Sequence, residues 1–430
     1  MPRTHSSMPL THSSPLGLAA IALLSACAAA GDAGRVDADL EARARQIHDA
    51  VITIDTHDDI PFDFATDEVD PLDADRQVNL EKMREGGLDV GFFIVYVGQT
   101  ERTPQNYEAA QEGALTKFDA IHRMTEMYPD QIELAHTADD VIRIHGEGKL
   151  VAAIGIENGY VIGRDLSLLE RYHELGARYI TLAHNGNNDI ADSAQPRANI
   201  GDEPGENGGV SDFGEQVIAE MNRLGILVDV SHISKEAALD AMRLSRAPVI
   251  ASHSSTYALA EHPRNMDDET LMVLRDNGGV MQTVAFDGYV KVQPPERDEA
   301  VDALRDEMGI EGGGQSALES LTPGQRAEYD RRMTEIEERW PDPTVSDFVD
   351  HIDHAVGLIG IDHVGISSDF DGGGGVVGWN DAAETFNVTL ELVRRGYTEE
   401  EIRKLWGENT LRIWREAERV ATEMQAEGGA

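Results

Sequence analysis

The sequence predicts an α/β protein, a (β/α)8 TIM barrel with a helical insertion between its seventh and eighth strands. Three observations carry this. Eight short runs rich in β-branched and aromatic residues recur along the chain, stretches of helical period separate them, and the runs are apolar almost without interruption. Strands of that kind are buried on both faces, as in parallel sheets, and parallel strands need right-handed helical crossovers. Eight βα units make a closed barrel the first choice, with an open doubly wound sheet as the alternative.

The runs are Val51–Thr56 (VITIDT), Val90–Val97 (VGFFIVYV), Val151–Ile156 (VAAIGI) and Arg178–Leu182 (RYITL). They continue at Ile226–Val230, Pro248–Ala251, Gly279–Val284 and Val364–Ser367. The clearest helices are Phe213–Leu224 (FGEQVIAEMNRL) and Lys235–Leu244 (KEAALDAMRL). Ser211 and Asp212 stand where an N-cap belongs, and Gly225 where the first of these should stop. The segment 290–345 breaks the repeat. Its core, Glu296 to Asp342, is highly charged, and Thr322–Trp340 reads as one surface helix within a helical insertion over the barrel mouth.

Residues 1–26 read as a lipoprotein signal peptide. Met1 to Pro15 is polar with Arg3 and no acid, and Leu16–Ala26 (LGLAAIALLSA) is apolar but too short to span a bilayer. The run closes on Leu24, Ser25, Ala26 and Cys27, which resembles the lipobox of bacterial lipoproteins. Cys27 is the only cysteine of the chain, so no internal disulfide can use it. The expectation is lipidation at Cys27, a tether over 27–36 and a barrel domain over 37–430. The protein would then sit in the bacterial cell envelope, facing the periplasm, held to the membrane by its lipid alone. Ala28 rather than Asp after the cysteine points to the outer membrane.

Asp and Glu number 79 against 36 Lys and Arg, a formal charge of −43 on 430 residues. Such a chain repels the phosphate backbone, which disfavours a nucleic-acid partner. With 41% hydrophobic residues it is a folded protein rather than an acidic tail.

Barrel enzymes place their chemistry at the C-terminal ends of the strands. The first run leads into Asp55-Thr56-His57-Asp58-Asp59; Glu157 follows the third, His184 the fourth, Asp229 and His232 end the fifth, His253 the sixth, and Asp369 and Asp371 the eighth. Only 15 histidines exist in the chain, yet four of eight strand ends carry one. His57 and Asp59 are two apart, so on a strand they point the same way and can share a cation. His57, Asp59, His232 and His253 are candidate ligands for a divalent metal such as Zn2+. Glu157, on the intervening strand, can supply the anion that bridges two metals.

These residues lie in segments that resemble the membrane (renal-type) dipeptidases, peptidase family M19 of the amidohydrolase-like metal barrels. The matching segments are VITIDTHDDIPFD, IGIENG, YITLAHNGNNDIADS, LVDVSHIS, PVIASHSSTYALAEHPRN and HVGISSDFDG, with GENTLRIW near the end. The resemblance implies two zinc ions per chain, one on His57 and Asp59, the other on His232 and His253, bridged by Glu157. It implies that His184 binds the substrate carbonyl, Arg264 its carboxylate, and that Asp369 handles the proton. It also implies a dipeptide substrate, hydrolysed by zinc-activated water, and a possible homodimer. Thr56 and Asp58 stand where the family often has Gly and Asn, and Asn158 where it often has Gly. Asp229 and Asp371 are read as orienters of the histidines. Two other readings stay open: a metal-barrel hydrolase for lactones, cyclic amides or phosphoesters, and a lipid-anchored protein that binds peptides without turnover.

Overall fold

The computed structural model describes residues 38–310 and 321–428; the leader, Cys27 and the tether lie outside them. One parallel sheet organises the chain, from β1 (Ile54–Asp59), β2 (Val90–Tyr96), β3 (Ile132–Leu134) and β4 (Leu150–Glu157) to β5 (Ala177–Thr181) and β6 (Leu227–Asp229). It continues through β7 (Ile250–Ser254), β8 (Val280–Val284) and β9 (Val364–Ser367). The order is β1-β2-β4-β5-β6-β7-β8-β9, and β3 pairs only with β4, outside the ring. The eight ring strands overlap the eight predicted runs. β3 is an addition, whose three residues include the charged Glu133.

The barrel closes where β9 returns to β1. That seam has one backbone bridge, Asp58 to Phe370, with the Asp59 N–H donating to the Phe370 carbonyl at 2.9 Å. The buried Asp55 carboxylate reinforces it by accepting the Ser368 N–H at 3.0 Å. Ile54, Phe92, Ala153, Tyr179, Leu227, Ile250 and Val280 belong to an apolar cluster that includes Trp414 and Leu411. Those last two come from the C-terminal helix Asn409–Gly428, which plugs the end opposite the strand C-termini. A larger cluster packs the outward strand residues under the surrounding helices.

Local signals fix the helices. Ser211 accepts the Gly214 N–H ahead of the helix Asp212–Leu224, and Gly225 ends it at φ 82°. Ser234 caps Lys235–Leu244 in the same way. Between β8 and β9 lie the helices Pro295–Met308 and Pro323–Arg339, the second opened by a capping box of Thr322 and Gln325. Leu304, Ile310 and Tyr329 give this insertion a small core of its own, separate from the barrel's. No helix among the described residues is long and apolar enough to cross a membrane.

Candidate metal centre

The strand ends bring the expected residues to one place. Glu157, the last residue of β4, is 4% exposed, and four imidazoles converge on its Oε1. The Nε2 atoms of His232, His253, His184 and His57 lie 2.9, 3.4, 3.4 and 3.6 Å away. His57 Nε2 is also 3.5 Å from Asp59 Oδ2 and 3.8 Å from Asp369 Oδ1. Three overlapping groups of ligating atoms result: His57, Glu157 and His253; Glu157, His184 and His232; and His57, Asp59 and Asp369. His184 thus stands among the ligating groups as well as beside them.

Backbone irregularity aims these side chains. The β1–β2 register slips between Asp55 and Asp58, and the β7–β8 register between Ala251 and Ser254. The two bulges contain His57 and His253, so each turns an imidazole toward the mouth. Five described non-glycine residues have positive φ, and four of them, Asn158, His232, Asp369 and Asp371, border this site. Strain concentrated this way is characteristic of functional sites. Asn158, at φ 85°, is held by its own side chain, which accepts the Tyr160 N–H at 3.1 Å.

Hydrogen bonds behind the histidines set their tautomers. The Tyr179 hydroxyl donates to the Thr56 carbonyl at 2.9 Å, so toward His57 Nδ1, 3.0 Å away, it accepts. Ser252 Oγ donates to Asp229 at 2.7 Å and accepts from His253 Nδ1 at 2.8 Å. His232 Nδ1 faces the Asn185 side-chain oxygen at 3.3 Å. In each ring Nδ1 is turned to an outer acceptor and Nε2 faces inward; in the neutral rings of His232 and His253 that Nε2 carries a lone pair. The inward His57 Nε2 is buried without a hydrogen-bond partner, and the Nε2 atoms of His232 and His253 are 2.7 Å apart with no proton to share. Cation ligation is what satisfies such atoms.

Donor spacing agrees. Two ligands at about 2.0–2.1 Å in a tetrahedral site sit about 3.3 Å apart, close to the separations above. Burial drives the pKa of His232 and His253 well below the usual imidazole value and lowers that of His184, so neutral rings are favoured. Burial also opposes charge on His57, but Glu157 and Asp59 outweigh it and pull its pKa well above normal. The same negative potential attracts a metal ion. Burial raises the Asp369 carboxyl well above the carboxylate range, an effect that a nearby cation would oppose. The residues present therefore fit a metal centre.

Asp229 acts on a histidine as expected, through Ser252. Asp371 does not. It accepts the N–H groups of Gln77 and Val78 at 3.0 and 3.1 Å and pairs with Arg76 at 3.1 Å, touching no histidine. Asp369 and Asp371 both have left-handed backbone, so the two-residue alternation of a strand does not govern where they point. Arg264 is 3% exposed; its Nη2 donates to the His253 carbonyl at 3.0 Å, and its guanidinium lies 5.2 Å from the Tyr289 ring centre.

The cluster opens into a cleft of about 450 Å3, lined also by Tyr96, Lys117, Asn185, Phe286 and Tyr289. Sequence reasoning missed these and Tyr179. Tyr96 ends β2, so the strand-end rule could have found it; its ring packs on His184 with centres 4.7 Å apart. Tyr179 lies inside the barrel, and a Cβ at Gly155 would run into its ring. Removing its hydroxyl leaves His57 Nδ1 without its acceptor. Tyr179→Phe is expected to weaken cation binding by about 10- to 100-fold, read by titration with a competing chelator; unchanged affinity would remove Tyr179 from this role.

The family model for membrane dipeptidase (peptidase family M19) matches residues 41–428. The chain is 34% identical over 367 residues to dipeptidase tcpJ of Claviceps purpurea, covering 84% of this chain and 74% of that protein. It is 30% identical over 390 residues to dipeptidase verJ of Clonostachys rogersoniana, covering 87% and 86%. Among solved structures, the probable dipeptidase PvdM from Pseudomonas aeruginosa superposes with a TM-score of 0.77 at 34% identity. The match covers 89% of this chain and 99% of that one.

Proposed function

The chain belongs to the membrane dipeptidase family, peptidase family M19, and from that premise we propose that it hydrolyses dipeptides at two zinc ions bridged by Glu157. The observation that carries this is the convergence of four imidazole nitrogens on one carboxylate oxygen, within 2.9–3.6 Å. His57 and Asp59 would hold one ion, His232 and His253 the other. Bound there, the ions supply a nucleophile at neutral pH and polarise the scissile carbonyl.

The protein's own groups do the rest. Arg264, a buried cation beside His253, receives the terminal carboxylate, which restricts substrates to short peptides with a free C-terminus. His184, at the cleft wall against Tyr96, donates to the carbonyl oxygen as negative charge develops on it. Asp369, 3.8 Å from His57, takes a proton from the attacking water and returns it to the leaving amine.

The test is amino-acid release from a panel of L-Xaa-L-Xaa and L-Xaa-D-Xaa peptides, with added Zn2+, after chelation, and after reloading. Release that chelation abolishes and Zn2+ restores is expected. No release from any peptide by protein with two bound ions would transfer the site to another hydrolytic substrate.

A further inference from the structure

The helix Pro104–Met127, which follows β2, buries Ala110, Ala114, Phe118, Ile121 and Met124 and, in the same stripe, Lys117. Lys117 is 3% exposed, and it has no hydrogen bond or ion pair with any other described residue. Its Nζ lies 5.1 Å from the Phe62 ring centre and 5.6 Å from that of Tyr96. A lone ammonium is costly to bury, and a core position of this helix would ordinarily take an apolar residue. Lys117 lines the cleft that holds Asp59, Glu157 and His184. Arg76 lines it too, but its charge is already engaged by Asp371 at 3.1 Å. Lys117 is the cation left for a ligand.

Its position in the ring says which part of a ligand. β2 is second and β7 sixth in the eight-strand ring, so they face each other across the barrel. Arg264 enters from the loop after β7, whereas Lys117 and Tyr96 come from β2 and the helix that follows it. A dipeptide whose terminal carboxylate lies toward Arg264 therefore presents its N-terminal residue to the Lys117 wall. We propose that Lys117 is a specificity determinant for that residue, and that preferred substrates carry a carboxylate side chain there, as in L-Glu-Xaa and L-Asp-Xaa. The inference rests on the dipeptidase reading above. A carboxylate meeting a desolvated ammonium forms a charge-assisted hydrogen bond, while an added cation is repelled.

The experiment measures kcat/KM of the zinc-loaded enzyme on Glu-Ala, Gln-Ala, Lys-Ala and Ala-Ala. Glutamate and glutamine have nearly the same shape and differ by one charge. Wild type is expected to favour Glu-Ala over Gln-Ala by about 10- to 100-fold, mainly through KM, with Lys-Ala poorest. Lys117→Met should bring the Glu-Ala to Gln-Ala ratio near one, and Lys117→Arg should retain part of the preference. Ala-Ala turnover with no Glu over Gln preference in wild type overturns the subsite and leaves the dipeptidase reading standing. A Lys117→Met ratio equal to that of wild type overturns it as well. Turnover of none of the four peptides overturns both. The wild-type ratio needs no variant, so a misfolded Lys117→Met cannot hide the answer.

Discussion

Glu157→Gln is expected to lower kcat/KM by more than about 100-fold and, on the two-zinc reading proposed above, to reduce bound zinc to at most one ion per chain. Loss of an outer hydrogen-bond partner of a metal ligand already costs about 10- to 100-fold, and this change removes the shared anion itself. Glutamine keeps the size of the side chain but replaces a charged acceptor with a neutral amide. His232, His253, His184 and His57 would then converge on half an acceptor and half a donor. Burial lowers the pKa of His232 and His253, which disfavours the protonated rings that could repair the loss. Elemental analysis of the dialysed variant, with kinetics at saturating Zn2+, decides the matter. Two ions bound at full activity would end the bridging role.

Asp369→Asn should separate proton transfer from metal binding. The position has φ 60°, a left-handed conformation that asparagine adopts readily, so the backbone of the loop after β9 is preserved. What changes is the ability to accept and release a proton. A fall in kcat of about 10²- to 10⁴-fold is expected, with zinc content held and KM changed little. If kcat stays within about threefold of wild type, the proton is handled elsewhere. The pair of variants thus tests a ligand and a proton carrier that lie within the same few ångströms.

The ring was legible because each of its strands is buried on both faces and announces itself as an apolar run. β3 escaped because it is three residues long, has a glutamate at its centre and is attached only to β4. The ligand candidates were legible from a positional rule, since barrel chemistry lies at strand ends. That rule says nothing of Tyr179, whose hydroxyl reaches His57 from within the barrel, nor of the bulges at His57 and His253. A bulge belongs to the pairing of two strands and leaves no mark on either alone. Lys117 did leave one, a lysine in the buried stripe of a helix, but the stripe is clear only once the helix's packing is known. Asp371 misled because a carboxylate near a strand end was taken to face a histidine, whereas this one meets Gln77, Val78 and Arg76 from a left-handed turn.

The thin seam between β1 and β9 acquires a second meaning from its location. His57 and Asp59 lie on one bank and Asp369 on the other, beside the single bridge that joins them. A cation held by His57 and Asp59, as proposed, would draw the Asp369 carboxylate across the seam by its charge and act as a clasp, linking occupancy to the mechanical integrity of the barrel. With zinc as the proposed ion, each tenfold rise in its free concentration above the dissociation constant would add about 1.4 kcal/mol to the closed form. Scarcity of metal would then cost the molecule its shape at this joint along with its chemistry, and melting curves at graded free zinc would trace the two together.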